Sequence, residues 1–166
     1  MKIGVVSDTH GKLAITASAI QLLRERGAKL ILHCGDIDSV ETVRLFREVQ
    51  AHFVFGNWDH SLTKLKKAIR GIGAEYHDGP GRIELGGKRI GWLHGHVHGE
   101  RRKLEASNEL DFLFYGHSHK AEAHRMGKTL VINPGALHRA LPKTVALVDL
   151  EAGAWELIGV ETIRER

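Results

Sequence analysis

Three times in its first third, this chain runs through a short apolar stretch and stops on an oxygen-bearing side chain. Lys2-Ile3-Gly4-Val5-Val6 ends at Ser7-Asp8, Leu30-Ile31-Leu32-His33 ends in Cys34-Gly35-Asp36, and Phe53-Val54-Phe55 ends at Gly56-Asn57. Between these runs lie helix-spaced patterns. One extends from about Leu13 to Arg26, with Ile15, Ala19, Ile20 and Leu23 in phase, and Gly27 stops it. The other carries Val40, Val43, Leu45 and Phe46 behind Ser39, a residue able to cap a helix. Strands apolar on both faces and joined by helices imply parallel βαβ units with right-handed crossovers. Ligands of such sheets bind beyond the carboxyl ends of the strands. Asp8, Asp36 and Asn57 are therefore expected on one rim.

A further helix is expected from Ser61 to Arg70, with Leu62, Leu65 and Ile69 inward. After Gly73 the pattern changes to hairpins: Ile83-Glu84-Leu85 and Lys88 to Leu93 flank Gly86-Gly87, a favoured two-residue turn, and the second strand ends at His94. A helix from about Arg101 to Glu109 leads into Phe112-Leu113-Phe114-Tyr115, which ends at Gly116-His117. Short strands follow over Ala121 to Arg125, Thr129 to Ile132, Thr144 to Asp149 and Trp155 to Val160, so the last part of the chain reads as largely antiparallel. The economical α/β arrangement is a four-layer αββα sandwich, two mixed β-sheets packed face to face and flanked by helices, in a single domain spanning 1–166.

Five strands thus end in polar clusters: Ser7-Asp8-Thr9-His10, Gly35-Asp36, Gly56-Asn57-Trp58-Asp59, His94-Gly95-His96 and Gly116-His117-Ser118-His119. Each pairs hard oxygen or imidazole donors with a small residue that lets the backbone turn, as a loop-borne metal site requires. The 12 His are many for this length and point the same way. One cysteine, Cys34, cannot make an internal disulfide; with no leader and no apolar run near the ~20 residues of a membrane span, a cytoplasmic protein is expected. The net charge of +4 is dispersed, and its local clusters, Lys64 to Lys67 and Arg101 to Lys103, lack interleaved aromatics. The first reads as a solvated helix face, whereas the second follows the His94 cluster and could hold a phosphate-bearing substrate.

Taken in order, Asp-x-His, Gly-Asp, Gly-Asn-x-Asp, His-Gly-His and Gly-His-x-His resemble the calcineurin-like metallophosphoesterases, specifically their small bacterial and archaeal phosphodiesterase branch. The resemblance runs from Ser7 to about Gly135 and includes Ile132-Asn133-Pro134-Gly135, similar to a stretch that closes the site in that branch. It implies the metallo-dependent phosphatase fold, in agreement with the strand pattern. It also implies that Asp8, His10 and His119 hold one divalent metal ion, that Asn57, His94 and His117 hold a second, and that Asp36 bridges them. Mn²⁺ is the first expectation, with Fe²⁺, Ni²⁺ and Zn²⁺ as alternatives. The implied activity is hydrolysis of a small phosphate ester, a phosphodiesterase reaction in which a metal-bridging hydroxide attacks phosphorus in line with the leaving alcohol.

Several residues extend or depart from that pattern. If the strand continues past His94, alternation turns His96 to the same face, where it would contact the phosphate or support a ligand; His98 reads as a loop residue. His33, His52, His77 and His124 belong to no motif and read as structural, and Cys34 as packing. Trp58 occupies the place where many family members carry a histidine thought to protonate the leaving group, a change common in the small branch. Its indole either fills the site wall or stacks on a base or aromatic leaving group, while His60 and His138 are possible replacement acids. Asp59 is expected to orient the Asn57 loop or a neighbouring histidine. Two rivals stand beside hydrolysis of small esters: a non-catalytic interaction scaffold, as in a eukaryotic retromer subunit similar to this family, and a nuclease, disfavoured by the dispersed charge. A homo-oligomer is left open.

Overall fold

A computed structural model describes residues 1–162. The first half alternates as the apolar runs require: β1 (Lys2–Val6), α1 (Leu13–Glu25), β2 (Ala28–His33), α2 (Val40–Arg44), β3 (Gln50–Val54), α3 (Leu62–Gly71) and β4 (Glu75–His77). The second half runs β5 (Gly81–Leu85), β6 (Lys88–Leu93), α4 (Glu100–Ala106), β7 (Phe112–Tyr115), β8 (Ala121–Met126), β9 (Thr129–Pro134), β10 (Thr144–Asp149) and β11 (Ala154–Gly159). One sheet has the order β11-β10-β1-β2-β3-β4 and the other β5-β6-β7-β9-β8. In the first, β1, β2, β3 and β4 are parallel and β10 and β11 close one side in antiparallel pairing.

The two faces of each strand explain the layers. On β1, Ile3 and Val5 point between the sheets, where they meet Trp92, Phe112, Phe114 and Ile132 from the second sheet. On the opposite face Val6 joins Ile15, Ala19 and Leu23 of α1, Phe46 and, from α3, Leu65 and Ile69. A third apolar layer puts Leu104 of α4 against Leu93, Leu113, Tyr115 and Val131 on the outer face of the second sheet. Helix, sheet, sheet and helix therefore stack in the order expected. Gly4 is part of the reason that α1 lies close to β1, because a Cβ there would run into the Leu23 side chain.

Three elements differ from the sequence reading. The second sheet has a parallel centre, with β6 beside β7 and β7 beside β9, and only its edges β5 and β8 pair antiparallel. The hairpin at Gly86-Gly87 is real, but α4 acts as a crossover between two parallel strands, so the later half is less antiparallel than its short runs suggest. The helix starting near Arg101 stops at Ala106 and does not reach Glu109, because Asn108 adopts a φ of 54° and Ser107 Oγ accepts the Glu109 N–H at 3.2 Å. Finally, β4 adds a parallel edge strand that the polar triplet Glu75-Tyr76-His77 did not signal.

Candidate metal centre

Beyond the last residues of β1 and β2 the two backbones remain zipped together: Asp8 N–H donates to Gly35 O at 3.0 Å, His10 N–H to Asp36 O at 3.0 Å and Gly11 N–H to Ile37 O at 3.2 Å. That ladder places Asp8, His10 and Asp36 side by side. A second brace comes from Asp59, whose carboxylate accepts the N–H groups of Gly56, Asp36, Ile37 and Asp38 at 2.8 to 3.0 Å. Burial pushes the Asp59 carboxyl up, against the pull of these N–H donors. Asp59 orients the Asn57 loop, as its position suggested, and it also clamps the Asp36 loop.

The second sheet supplies the remaining side chains. His94 follows β6 and is fixed by Cys34 O, 2.8 Å from its Nδ1, which leaves Nε2 facing Asp36 Oδ2 at 3.2 Å and Asn57 Oδ1 at 3.1 Å. His119 Nε2 lies 3.0 Å from Asp8 Oδ1, and His10 Nε2 lies 3.3 Å from Asp36 Oδ2 and 3.8 Å from Asp8 Oδ1. The other Asp8 oxygen is occupied by Ser7 Oγ at 2.6 Å and the His117 N–H at 3.1 Å. The His117 ring stands 5.1 Å from the His94 ring, centroid to centroid. All seven expected ligand residues thus meet on one rim. Two donor groups are tightest, Asp8, His10 and His119, and Asp8, Asp36 and His94, with the donor atoms of each within 4.8 Å of one another. Asn57 and His117 approach through His94.

Backbone conformation concentrates at the same residues. Asp8, His10, Asp36, His117 and His119 all have positive φ, from 42° to 68°. Each such conformation costs a residue with a Cβ on the order of 1 kcal/mol, and here the cost is offset by the ladder and by Asp59. Glycines work differently from the expectation. Gly35 and Gly95 do turn the chain, at φ 95° and 99°, but Gly56 and Gly116 serve by absence: a Cβ on Gly56 would overlap Asp36 Oδ1, and one on Gly116 would overlap Ser7 Oγ.

Electrostatics identify what the cluster is suited to hold. Burial raises the Asp36 and Asp8 carboxyls, but the facing imidazoles outweigh it, His10 and His94 above all, and hold both below the usual carboxylate range, Asp36 far below it. In turn Asp36 and Asp8 raise His10 to about 9, and they lift His94 despite its burial. Protons thus hold the carboxylates and imidazoles together. The hydrogen-bond geometry is nevertheless poor: Asp8 Oδ1 and His10 Nε2 are buried and make no hydrogen bond. Converging carboxylate oxygens and imidazole nitrogens, in ion-pair contact but with two of them outside hydrogen-bond geometry, match the donor set of borderline divalent cations.

The surrounding residues complete the description. Because β6 ends at Leu93 and Gly95 turns the chain, the alternation argument for His96 does not apply; its exposed ring nonetheless lies 5.3 Å from His94 and 6.3 Å from His117. Beside it a cleft of about 330 Å³ is lined by His96, His98, Arg101, Arg102, Tyr115 and Ser118, among others. Trp58 is 55 % exposed with its ring 6.2 Å from His10, so the indole stands free of the site wall and does not fill it. His138 reaches the rim, its ring 5.0 Å from His10, whereas His60 is 6.0 Å from Trp58. Asn133 fastens the last loop by donating to Gly116 O and Ser118 Oγ. The reading of His33 as merely structural understates it: fully buried, it accepts the Gly35 N–H at Nδ1, so its Nε2 carries the hydrogen that faces Thr9 Oγ1 at 3.0 Å. The available signal was its place at the end of β2, beside the Gly35-Asp36 motif.

Comparison with known proteins places the chain in a family. A family model for the calcineurin-like phosphoesterase superfamily domain matches residues 1–153. The phosphodiesterase MJ0936 of Methanocaldococcus jannaschii is 30% identical over 166 residues, spanning 97% of this chain and 100% of the relative. The phosphodiesterase YfcE of Escherichia coli K12 is 28% identical over 159 residues, 86% of this chain and 82% of the relative. A solved archaeal phosphodiesterase superposes with a TM-score of 0.88 at 27% identity, covering 97% of this chain and 100% of that one. A zinc complex of wild-type Vps29 from Entamoeba histolytica superposes with a TM-score of 0.69 at 23% identity, covering 95% and 97% of the two chains, and carries the fold alone.

Proposed function

The chain belongs to the calcineurin-like phosphoesterase superfamily and is a hydrolase of phosphate esters, and from that premise we propose that it is a divalent-metal-dependent phosphodiesterase with a dinuclear centre. Asp8, His10 and His119 would hold one ion, Asn57, His94 and His117 the other, with Asp36 shared between them. Bound ions supply charge stabilisation for the phosphoryl oxygens and a hydroxide nucleophile at neutral pH. The protein's part is to fix the donors. Asp36 lies within 3.3 Å of both His10 and His94, one residue from each set, which supports its shared role. The single observation that carries the reading is the convergence of two donor sets that share Asp8, one with His10 and His119 and one with Asp36 and His94, the donor atoms of each within 4.8 Å of one another.

His96, exposed beside His94 and His117, is positioned to donate a hydrogen bond to a bound phosphate. Arg101 is held over the Tyr115 ring at 4.4 Å and against Glu105 Oε1 at 3.3 Å, so Arg102, exposed next to it, is the freer cation for an anionic part of a substrate. Mn²⁺ is the first candidate ion and the cytoplasm the compartment, the latter supported by a lone, buried Cys34. Among the described residues no helix is long and apolar enough to cross a membrane.

The reading is tested with Mn²⁺-loaded protein and bis(p-nitrophenyl) phosphate. Hydrolysis is expected, and Asp36→Ala is expected to reduce it by at least about 10³-fold while the protein stays folded. Metal-dependent turnover persisting in Asp36→Ala would remove Asp36 from the shared position. Vps29 has the same fold, and inertness of metal-loaded protein towards mono- and diesters would favour an interaction role instead.

A further inference from the structure

Away from the rim, one side of the sandwich carries a second convergence of ligand-type side chains. On β3, Ala51 and Phe53 face the helices and Val54 faces the layer between the sheets, so His52, in phase with Val54, faces that layer too. On β4, Tyr76 packs on the helix side and leaves Glu75 and His77 on the inner side. Parallel pairing sets His52 opposite Glu75 and Val54 opposite His77. The three side chains meet at the edge of the first sheet, where among the described residues β4 has no further strand beside it.

Their spacing is that of a coordination sphere. His52 Nδ1 lies 3.4 Å from His77 Nε2 and 3.7 Å from Glu75 Oε2, and one donor atom from each residue lies within 4.8 Å of the other two. A tetrahedral ion with ligands at about 2.0–2.1 Å sets neighbouring donors about 3.3–3.5 Å apart. A nitrogen pair at 3.4 Å is long for a good hydrogen bond between two imidazoles, whose usual length is about 2.9 Å. The Glu75 side chain is 70% exposed and can close the small remaining gap by rotation.

The rings are held in place by their neighbours. They stack with an interplanar angle of 16°, and both meet the buried Trp92 edge-on, with centroids at 4.8 and 5.9 Å. Burial holds the pKa of His52 down, and burial together with the neighbouring His52 holds that of His77 down, with Glu75 opposing in both cases. A neutral imidazole is the form that binds a metal.

We propose that His52, Glu75 and His77 form a separate, mononuclear site for a borderline divalent cation of the zinc type, with water in the fourth position on the solvent side. The ion would tie the three-residue edge strand β4 to β3. Unlike the rim, this site has no bridging carboxylate, and none of its three residues lines the cleft beside His96.

Zinc content after equilibrium dialysis tests the assignment. In Asp36→Ala, which removes the shared rim ligand, zinc content is expected to exceed that of Asp36→Ala/His77→Gln by one Zn²⁺ per chain. With Co²⁺ in its place, the difference spectrum between Asp36→Ala and the double variant is expected to show the strong visible absorption of a tetrahedral ion. His77→Gln alone is expected to leave Mn²⁺-dependent hydrolysis at the rim unchanged. Should His77→Gln fold poorly in EDTA, the exposed Glu75→Gln serves instead, with an expected loss of at least tenfold in zinc affinity. Equal zinc content with and without His77, or equal affinity with and without Glu75, overturns the proposal.

Discussion

Trp58 and Asp59 are neighbours with opposite roles. Asp59 is buried and its carboxylate joins two loops by accepting four backbone N–H groups, so Asp59→Asn replaces one acceptor oxygen by a donor that faces N–H groups. The expected result is a loss of about 3 kcal/mol in urea-measured stability. A fall of at least about 10²-fold in turnover should accompany it as Asp36 and Asn57 lose their relative position. An unchanged urea midpoint would remove the clamp from the account. Trp58, exposed beside His10, carries no proton to give a leaving group. General acid help is worth typically about 10²–10⁴-fold, so hydrolysis of bis(p-nitrophenyl) phosphate should exceed that of a dialkyl diester by more than the leaving-group difference gives in an acid-assisted enzyme. A shallow dependence of rate on leaving-group pKa would show that another residue, His138 first, donates the proton. The identity of the ligand-type residues was legible because each belongs to a polar cluster that follows an apolar run. Which residue takes the strained backbone was not, since positive φ at Asp8, Asp36 and His117 arises from hydrogen bonds between loops far apart in sequence.

At the scale of elements, β2 shows how a strand can make a site sensitive to pH. Its last residue, His33, is held neutral by burial, which pushes its pKa down to about 3, while Gly35 N–H and Thr9 Oγ1 use both ring nitrogens. In the unfolded chain the same imidazole takes a proton near pH 6.5. Since the folded state refuses a proton that the unfolded state accepts, stability is full above about 6.5 and falls as the pH drops from there towards 3. Between pH 7 and 5 this amounts to about 2 kcal/mol. Urea midpoints at those two pH values should therefore differ less in His33→Gln than in the parent protein; equal slopes would mean that His33 titrates normally. The elements themselves were readable in proportion to their apolar periodicity. β1, β2, α1 and α3 were plain, because their in-phase side chains enter the two inner apolar layers. β4 was hidden, being three residues long with polar side chains on its inner side, and the parallel centre of the second sheet was hidden because pairing partners are set by tertiary packing and not by any one strand's pattern.

The whole molecule is two sheets, and the rim draws on both. Asp8, His10, Asp36 and Asn57 follow strands of the first sheet, whereas His94, His117 and His119 follow strands of the second. Across that divide lie the short separations Asp8 to His119 and Asp36 to His94, which bound ions would convert into coordination. Metal binding on this reading holds the sheets together at one end, while the apolar layer of Trp92, Phe114 and Ile132 holds them along their length. An ion present at a thousand times its dissociation constant stabilises the folded state by about 4 kcal/mol, provided that the unfolded chain does not bind it. For a chain of this size each kcal/mol is worth about 2–4 °C in melting temperature, so Mn²⁺ should raise the midpoint by roughly 10 °C over protein in EDTA. The same addition should do little for Asp36→Ala. Loading must also displace the proton that Asp36 and Asp8 hold on His10, whose pKa is raised to about 9, so the increment should shrink as the pH is lowered. Calorimetry at neutral pH in buffers of different ionisation enthalpy would reveal the released protons, and a Mn²⁺-induced shift of equal size in Asp36→Ala would mean that the sheets are joined without the rim.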